Sequence, residues 1–178
     1  AAYYDPARSG GTELWLADLA EDGSVANARV VAGGPEESIV APGWSPEGEL
    51  FFVTDRSGWW NLHRLSGDAV TPVCLLKAEF GQPHWVFGGS TWDFVGPNTL
   101  LTTWQTREGA KLGTLDVATG ELEPIDVPFS VIGGLHVSGG RAMFGGSTPT
   151  TSPVLALLDL ESLEVTEVRR STDLTVDP

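Results

Sequence analysis

The sequence predicts an all-β fold, a β-propeller fragment of about four blades, because one strand pattern recurs along it. One extended apolar run that ends in or near Asp or Ser occurs four times: Leu14–Leu19, Asn61–Ser66, Lys111–Asp116 and Val154–Asp159. Aligning that Asp or Ser gives intervals of about 48, 50 and 43 residues, the length of one four-stranded propeller blade. The 22 Gly and 12 Pro suit a chain that turns often.

The clearest repeat runs from Ile39 to Leu76, where residues with strong turn preferences separate short runs of β-branched and aromatic residues. Ser45–Gly48 supplies one hairpin turn, since Pro fixes φ and Gly accepts a positive φ. The expected strands are Ile39–Trp44, Leu50–Thr54, Trp59–Leu65 and Thr71–Leu76.

The same reading along the whole chain divides it into blades at about 1–35, 36–78, 79–129 and 130–170, with a tail at 171–178. The first blade has only three strand-like runs and is expected to lack its innermost strand. The extended segment Leu174–Val176 is a candidate to fill that place. In the last blade we expect a loop over Gly145–Ser152. The chain does not begin with Met, and we expect it to begin inside a longer reading frame.

Charge and cysteine content exclude several kinds of partner. The formal net charge is −14, from 24 acidic and 10 basic residues, and no Lys/Arg cluster offers a phosphate-binding stripe, so we expect no nucleic acid partner. No apolar run approaches the roughly 18 residues of a membrane helix, and no membrane partner is expected. Cys74, the single cysteine, should pack as a small hydrophobic residue. The sequence does not fix a compartment, and a cytoplasmic location is our expectation.

Catalytic and metal-binding patterns are missing from the sequence. No Ser is framed as Gly-x-Ser-x-Gly, so we expect no catalytic residue in this chain. His63, His84 and His136 are interpreted as strand or loop residues rather than general bases. Asp18, Asp116 and Asp159 should cap tight turns. We expect no metal and no cofactor.

Alternating strand direction predicts which loops share a face. Turns between second and third strands, and connections between blades, should open on one side. The candidate substrate-facing or domain-facing residues on that side are Glu36, Glu37, Arg56, Trp59, Trp60, Glu79, His84 and Arg107. Glu36 and Glu37 could bind a cationic amine or simply be solvated. Trp59 and Trp60 could pack toward the two neighbouring blades, or one ring could be exposed as an anchor for a peptide or domain.

Two segments carry a resemblance to a known family. Pro42–Gly58 resembles the TolB-type propeller repeat, whose usual form is Trp-Ser-Pro-Asp-Gly, an apolar strand and an Asp-Arg-Gly turn. The continuation Gly58–Leu62 and the segment Ala78–Gly88 are similar to the propeller of bacterial prolyl oligopeptidase-family serine peptidases, the dipeptidyl aminopeptidases and acylaminoacyl peptidases.

The resemblance implies a propeller that precedes an α/β-hydrolase domain, which carries the catalytic Ser, Asp and His and is absent from this chain. The chain itself would then be non-catalytic and would form a chamber wall and size filter for short peptide substrates. A stand-alone TolB-like protein-binding module is the alternative, and a sugar-binding propeller using Trp59 or Trp60 is a third reading. Exposed blade edges also make self-association a possible interaction.

Overall fold

The chain is built from β-strands joined by short turns. The computed structural model describes residues 2–5, 11–83 and 88–172, and in these ranges no helix is long and apolar enough to cross a membrane. The strands fall into two units, Ala1–Pro83 and His84–Pro178, which are described separately.

The first unit contains two antiparallel sheets. One has three strands in the order β1-β2-β3, and the other has four in the order β4-β5-β6-β7. The strands are β1 Ala2–Asp5, β2 Glu13–Leu19, β3 Val25–Gly33, β4 Ile39–Trp44, β5 Leu50–Thr54, β6 Asn61–Ser66 and β7 Ala69–Pro72.

The second unit also contains two antiparallel sheets, each with four strands joined in sequence order. The first of them comprises β8 Trp92–Phe94, β9 Thr99–Thr106, β10 Gly109–Asp116 and β11 Leu122–Ile125. The second comprises β12 Val131–Ser138, β13 Arg141–Thr148, β14 Thr151–Asp159 and β15 Val165–Arg170.

The strand pattern that recurs in the sequence occupies the same place in each sheet. It forms β6, β10 and β14, the third strands of the four-stranded sheets, and β2 of the three-stranded sheet. In the described residues the three-stranded sheet therefore has counterparts of the second, third and fourth strands and none of the first. The prediction of an all-β fold of small sheets, the first one strand short, is confirmed.

Each unit buries an apolar core between its two sheets. In the first unit Leu14 and Ala32 pack with Ile39, Leu50 and Phe52. In the second unit a larger cluster joins β9 and β10 to the facing sides of β12, β13 and β14. Fully burying one such side chain contributes about 1.5–3 kcal/mol. The alternation of buried and exposed residues along β13, with Ala142 and Phe144 inside and Met143 outside, is the period of two expected of a strand with one buried face.

The prediction of a loop over Gly145–Ser152 is wrong. Strand β13 continues to Thr148, and a two-residue turn leads directly into β14 at Thr151. The two glycines that suggested a loop lie inside the strand, where Gly146 allows an aromatic ring to approach. A Cβ atom at Gly146 would lie 2.6 Å from the ring of Phe129, so glycine is required there for packing rather than for turning.

Asp116 and Asp159 cap turns of identical design, as predicted. The Oδ1 atom of Asp116 accepts hydrogen bonds from the backbone N–H groups of Ala118 and Thr119 and from the Thr119 hydroxyl. The Oδ1 atom of Asp159 accepts the equivalent three hydrogen bonds, from the two N–H groups of residues 161 and 162 and from the Ser162 hydroxyl. Hydrogen bonds from the backbone and hydroxyl groups lower the pKa of both carboxyl groups.

Asp18 departs from that prediction. Its Oδ2 accepts a hydrogen bond of 2.8 Å from Nδ2 of Asn27 on the neighbouring strand instead of bonds from its own turn. The turn that follows is capped by Asp22, whose Oδ1 accepts the N–H of Ser24. The β2–β3 hairpin has a bulge between Leu16 and Asp18, which changes the position of Asp18 relative to the turn.

The two matching turns differ at their fourth residue, where the chain takes a positive φ. Gly120 has φ of 76° and Leu163 has φ of 59°. A positive φ is sterically strained for any residue with a Cβ atom, including leucine. Leu163 is 49% exposed, so its packing contacts offset little of this strain. We therefore expect Leu163→Gly to raise the free energy of unfolding by about 1 kcal/mol in urea denaturation. Glu161→Gly, in the same turn at a negative φ, should lower it; equal effects of the two changes would contradict this account.

Strand β7 is shorter than predicted, and Cys74 lies beyond it. After Pro72 the chain leaves the sheet, and the N–H of Val73 donates to the carbonyl oxygen of Leu62 on β6 just beyond the end of β7. Cys74 is 6% exposed, which confirms that it packs as a small hydrophobic residue, and burial raises the pKa of its thiol. The predicted strand at Leu174–Val176 lies outside the described residues.

Candidate functional site

Six of the predicted site residues lie at one end of the four-stranded sheet of the first unit. The segment before β4, the turn after β5 and the segment after β7 meet at this end because consecutive strands are antiparallel. These residues are Glu36, which is exposed, and Glu37, Arg56, Trp59, Trp60 and Glu79.

Glu37 and Arg56 form a two-pronged ion pair at this end. The guanidinium of Arg56 donates from Nε to Oε1 of Glu37 at 3.0 Å and from Nη2 to Oε2 at 3.1 Å. The Thr54 hydroxyl donates to the same Oε1. This two-pronged geometry is the strongest form of a carboxylate–arginine pair. Glu37 is therefore committed to Arg56 and Thr54, and Glu36 remains the carboxylate of the pair that faces solvent.

The ion pair of Glu37 with Arg56 makes the free energy of unfolding depend on pH in the acidic range. Partial burial raises the pKa of Glu37, but hydrogen bonds from Arg56 and Thr54 outweigh it and hold the pKa below 4.5, its ordinary value. Because the folded-state pKa is depressed, the stabilisation is present at neutral pH and is lost as the pH falls below about 4.5. The pair is partly exposed, so we scale its contribution down to about 1 kcal/mol.

We expect Glu37→Gln to lower the free energy of unfolding by about 1 kcal/mol at pH 7 and to have a smaller effect at pH 3, because protonation of Glu37 below pH 4.5 removes the stabilisation from the unmodified chain as well. Urea denaturation at both pH values is the measurement. Glu36→Gln removes the same charge from the exposed neighbour and should change little at either pH. A Glu37→Gln effect that is equal at both pH values would show that the carboxylate contacts do not account for the stabilisation.

A shallow cavity of about 650 Å³ lies beside this pair. Its walls are the backbone of residues 33–35 and the side chains of Glu36, Glu37 and Arg56. Gly33 can have no side chain here, since a Cβ would lie 2.0 Å from the carbonyl oxygen of Thr12 and φ is 92°. Among the described residues Glu36 has no ion-pair partner, so its carboxylate gives the cavity a net negative charge suited to a cation.

Trp59 and Trp60 do not begin the third strand, which starts at Asn61. They lie in a bend, so the alternation of successive side chains between the two faces of a strand does not apply to them. Trp59 is 37% exposed at the loop end, which favours the reading of one exposed ring. The ring of Trp60 instead packs on the backbone at Gly81, in the segment that follows β7. A Cβ atom at Gly81 would lie 2.1 Å from that ring, so only glycine leaves room for it.

Glu79 holds that bend in place. Its Oε2 accepts the N–H of Trp60 at 2.7 Å, and the N–H of Phe80 donates to the carbonyl oxygen of Trp60, also at 2.7 Å. The carboxylate therefore serves a structural contact. Glu79 and Phe80 thus hold the backbone of the bend on both sides of the Trp60 peptide, next to the exposed Trp59.

Asn61 is a structural residue that the sequence reading missed. Its side chain is 1% exposed, and Nδ2 donates to the carbonyl oxygens of Leu76 and Ala78, each at 3.1 Å. Its Oδ1 accepts the N–H of Leu76 and the hydroxyl of Ser57. One amide thus secures both the bend and the segment that follows β7. The only signal in the sequence is an amide residue placed between a Trp pair and an apolar run.

Arg107 lies in the second unit, at the tip of the β9–β10 hairpin. The side chain is exposed, and the tip is held by the Thr106 hydroxyl, which donates to the carbonyl oxygen of Gly109 and accepts the N–H of Glu108. The hairpin is also tied to the start of the next sheet by a 2.8 Å hydrogen bond from the N–H of Ala110 to the carbonyl oxygen of Ser130.

Neither described histidine is arranged as a catalytic base. His63 is 2% exposed, its Nδ1 lies 3.0 Å from its neighbour Asn61's carbonyl oxygen, and burial lowers its pKa. His136 is exposed on β12, with Nδ1 3.3 Å from Oδ2 of Asp93. His84 lies outside the described residues. Within those residues no cluster of three or more His, Cys, Asp or Glu could hold a metal ion.

Comparison with solved structures shows that the chain is similar to proteins that hydrolyse puromycin. It superimposes on puromycin hydrolase with a TM-score of 0.85 and 33% sequence identity, over 97% of this chain and 27% of that protein. A puromycin-hydrolyzing peptidase of Mycobacterium tuberculosis gives a TM-score of 0.83 at 28% identity, over 93% of this chain and 26% of that protein. The chain matches the propeller region of a prolyl oligopeptidase-family peptidase.

The resemblance stated from the sequence is confirmed, and so is the propeller fold class. TolB from Acinetobacter baumannii also superimposes, with a TM-score of 0.73 over 96% of this chain and 41% of that protein, but 15% identity shows a shared fold only. The chain spans about a quarter of the length of the puromycin-hydrolysing relatives. No protein-family model and no curated protein sequence matches it.

Proposed function

We propose that this chain forms part of the propeller of a serine peptidase, where it serves as a wall and size filter of the chamber that admits short peptides. The observation that carries the proposal is the match to puromycin hydrolase at 33% identity over 97% of the chain. That match covers 27% of the relative, which leaves ample length for a hydrolase domain in a parent protein.

The division of labour follows from the residues. The described part of the chain offers no group of residues that could act as nucleophile and base together, so the Ser and His for acyl transfer would come from the hydrolase domain. The propeller would contribute rigid walls that exclude large substrates. The loop end that carries Glu36, Arg56 and Trp59 is our candidate for the side that faces the hydrolase domain and the substrate.

The downstream reading frame provides the first test. We expect the parent gene to continue past Pro178 with about 200 or more residues that contain Gly-x-Ser-x-Gly. The complete protein should hydrolyse aminoacyl 4-nitroanilides, and this chain alone should not. A reading frame that stops at Pro178 would overturn the proposal and favour a stand-alone TolB-like binding module.

The size filter is tested separately, with the complete protein and a series of peptides of increasing length. The rate kcat/KM should fall steeply once a peptide is too large for the chamber, because the walls exclude it before it reaches the nucleophile. A folded protein and a tripeptide cleaved at similar rates would contradict the filter while leaving the peptidase assignment intact.

Taken alone, the chain is expected to self-associate. Met143 and Leu155 lie on the side of their sheet opposite the buried core and are 42% and 39% exposed. Such apolar side chains on adjacent strands favour contact with a second copy. Light scattering should give a mass above the 18.9 kDa of one chain, rising with concentration. The double change Met143→Lys and Leu155→Lys should restore the single-chain mass; a single-chain mass for the unmodified chain at high concentration would contradict self-association.

A further inference from the structure

A second cavity, of about 480 Å³, lies beside the β9–β10 hairpin in the second unit. Its walls are Trp104, Thr106, Arg107, Glu108, Lys111 and Pro124. The register explains why these residues meet. Lys111 pairs directly with Trp104, and Pro124 pairs with Gly113, so the four residues lie on one side of the sheet.

The floor of this cavity is apolar and rigid. Trp104 is 6% exposed, and its ring lies over Gly113, where a Cβ would be 3.0 Å from the ring and 2.4 Å from the carbonyl oxygen of Glu123. Gly113 therefore makes the room that the indole occupies. Pro124 continues the apolar surface beside the ring.

The rim of the cavity is cationic. Arg107 and Lys111 both line it, against the single carboxylate of Glu108. Lys111 Nζ lies 4.0 Å from Glu108 Oε2, and both side chains are largely solvated, so this pair is weak. Arg107 has no carboxylate within ion-pair distance in residues 11–83 and 88–172. A chain with a net charge of −14 thus carries a local excess of positive charge at this cavity.

The backbone that carries the two cations is braced by hydrogen bonds. The Thr106 hydroxyl accepts the N–H of Glu108 and donates to the carbonyl oxygen of Gly109, and both bonds brace the turn that carries Arg107. The hydrogen bond from the N–H of Ala110 to the carbonyl oxygen of Ser130 anchors the start of β10, one residue before Lys111. The backbone beneath both cations is therefore fixed, and their side chains extend from defined positions on the hairpin.

We propose that this cavity binds the C-terminal carboxylate of a short peptide, with the guanidinium of Arg107 and the ammonium of Lys111 as its partners. A guanidinium can receive both carboxylate oxygens at once. The last side chain of the peptide would lie on Trp104 and Pro124, which accounts for an apolar floor beneath a cationic rim. The inference rests on the proposed function, since it gives the peptide substrate a preference for a free C-terminus.

The test is calorimetric titration of the complete protein with three probes. These are N-acetyl-Ala-Phe with a free carboxylate, the same peptide as its C-terminal amide, and N-acetyl-Glu-Phe amide, whose carboxylate is on a side chain. At low salt we expect the free acid to bind about tenfold or more tightly than either amide, because only the free acid presents a carboxylate next to its last side chain. Equal binding of the acid and its amide, or of the acid and the glutamyl amide, would overturn the proposal.

Variants locate the effect. Arg107→Ala and Lys111→Ala should each remove most of the preference for the acid, whereas Glu108→Gln should increase it by removing the competing carboxylate. Lys77→Ala deletes an exposed cation of the first unit and should change nothing. All four side chains are solvated, and matched thermal unfolding curves check that the fold is kept. A preference for the acid that persists in both Arg107→Ala and Lys111→Ala would refute the site.

Binding and hydrolysis separate this proposal from the preceding one. If the complete protein hydrolyses peptides but binds acid and amide alike, the carboxylate site is wrong and the peptidase assignment stands. If it binds the acid selectively through Arg107 and Lys111 but hydrolyses no peptide, the peptidase assignment is wrong and the site stands.

Discussion

Phe144→Ala is expected to lower the free energy of unfolding by about 3–5 kcal/mol, the largest effect of a single replacement that we predict. Phe144 is 0% exposed and lies at the centre of the apolar cluster between the two sheets of the second unit. Its ring also meets that of Phe129 edge to face, at 5.9 Å between centroids and 80° between planes. Alanine would leave a cavity that close-packed strands cannot collapse to fill.

Urea denaturation, followed by far-UV circular dichroism, measures this loss. Because small domains are stable by only about 5–15 kcal/mol, the variant should be partly unfolded at moderate urea. Arg141→Ala is the matched control on the same strand, since Arg141 is exposed and its ion pair with Asp159 is long, at 3.9 Å, so the change should cost less than about 1 kcal/mol. Similar losses for the two variants would mean that the alternation of buried and exposed residues along β13 does not govern stability.

Asn61→Ala is expected to cost about 3 kcal/mol, although it removes only a small polar side chain. The loss arises because the carbonyl oxygens of Leu76 and Ala78 and the N–H of Leu76 are left without the amide that satisfies them. An unsatisfied buried polar group costs about 1–3 kcal/mol, more than a hydrogen bond contributes when formed. Asn98→Ala, at an exposed turn position, should stay within about 0.5 kcal/mol.

Asn61→Asp sharpens that test. Aspartate keeps an oxygen that accepts the N–H of Leu76. It replaces the donating amide nitrogen by a negatively charged oxygen that faces the carbonyl oxygens of Leu76 and Ala78. Its folded-state pKa should therefore be raised, and the variant should regain stability as the pH falls, because the protonated acid can donate one hydrogen bond. Asn61→Ala should show no such recovery. A loss in Asn61→Asp that does not depend on pH would contradict the assigned hydrogen bonds.

The hairpins and the fold class could be predicted from sequence because their signals are local. Pro46 and Gly48 fix one turn, and the Asp–hydroxyl pattern at Asp116 and Asp159 fixes two more. Gly145 and Gly146 were misread because glycine has two uses. The sequence shows the missing side chain, and only the packed structure shows that Phe129 fills the space.

Some contacts of the candidate site could likewise be predicted from the sequence, and others could not. Glu37 and Arg56 could be placed at one end of a sheet from strand order, and the pairing of Ile39 with Thr54 brings them opposite each other. The ties from Asn61 to Leu76 and Ala78 could not be predicted, because they join residues that are not paired in any strand ladder. The cavity beside Arg107 needed the register of β9 and β10, which places Lys111 opposite Trp104.

The turns that begin at Asp116 and Asp159 form the same hydrogen bonds although their sequences differ. We therefore expect the sequence of one turn to be able to replace that of the other. The N–H of each Asp bonds the carbonyl oxygen five residues later, at Glu121 and at Glu164, so both turns deliver their returning strand with the same offset. A loop graft that swaps the four residues between Asp and Glu should leave both hairpins aligned. The same four-residue spacing could be copied to close another antiparallel hairpin with this offset.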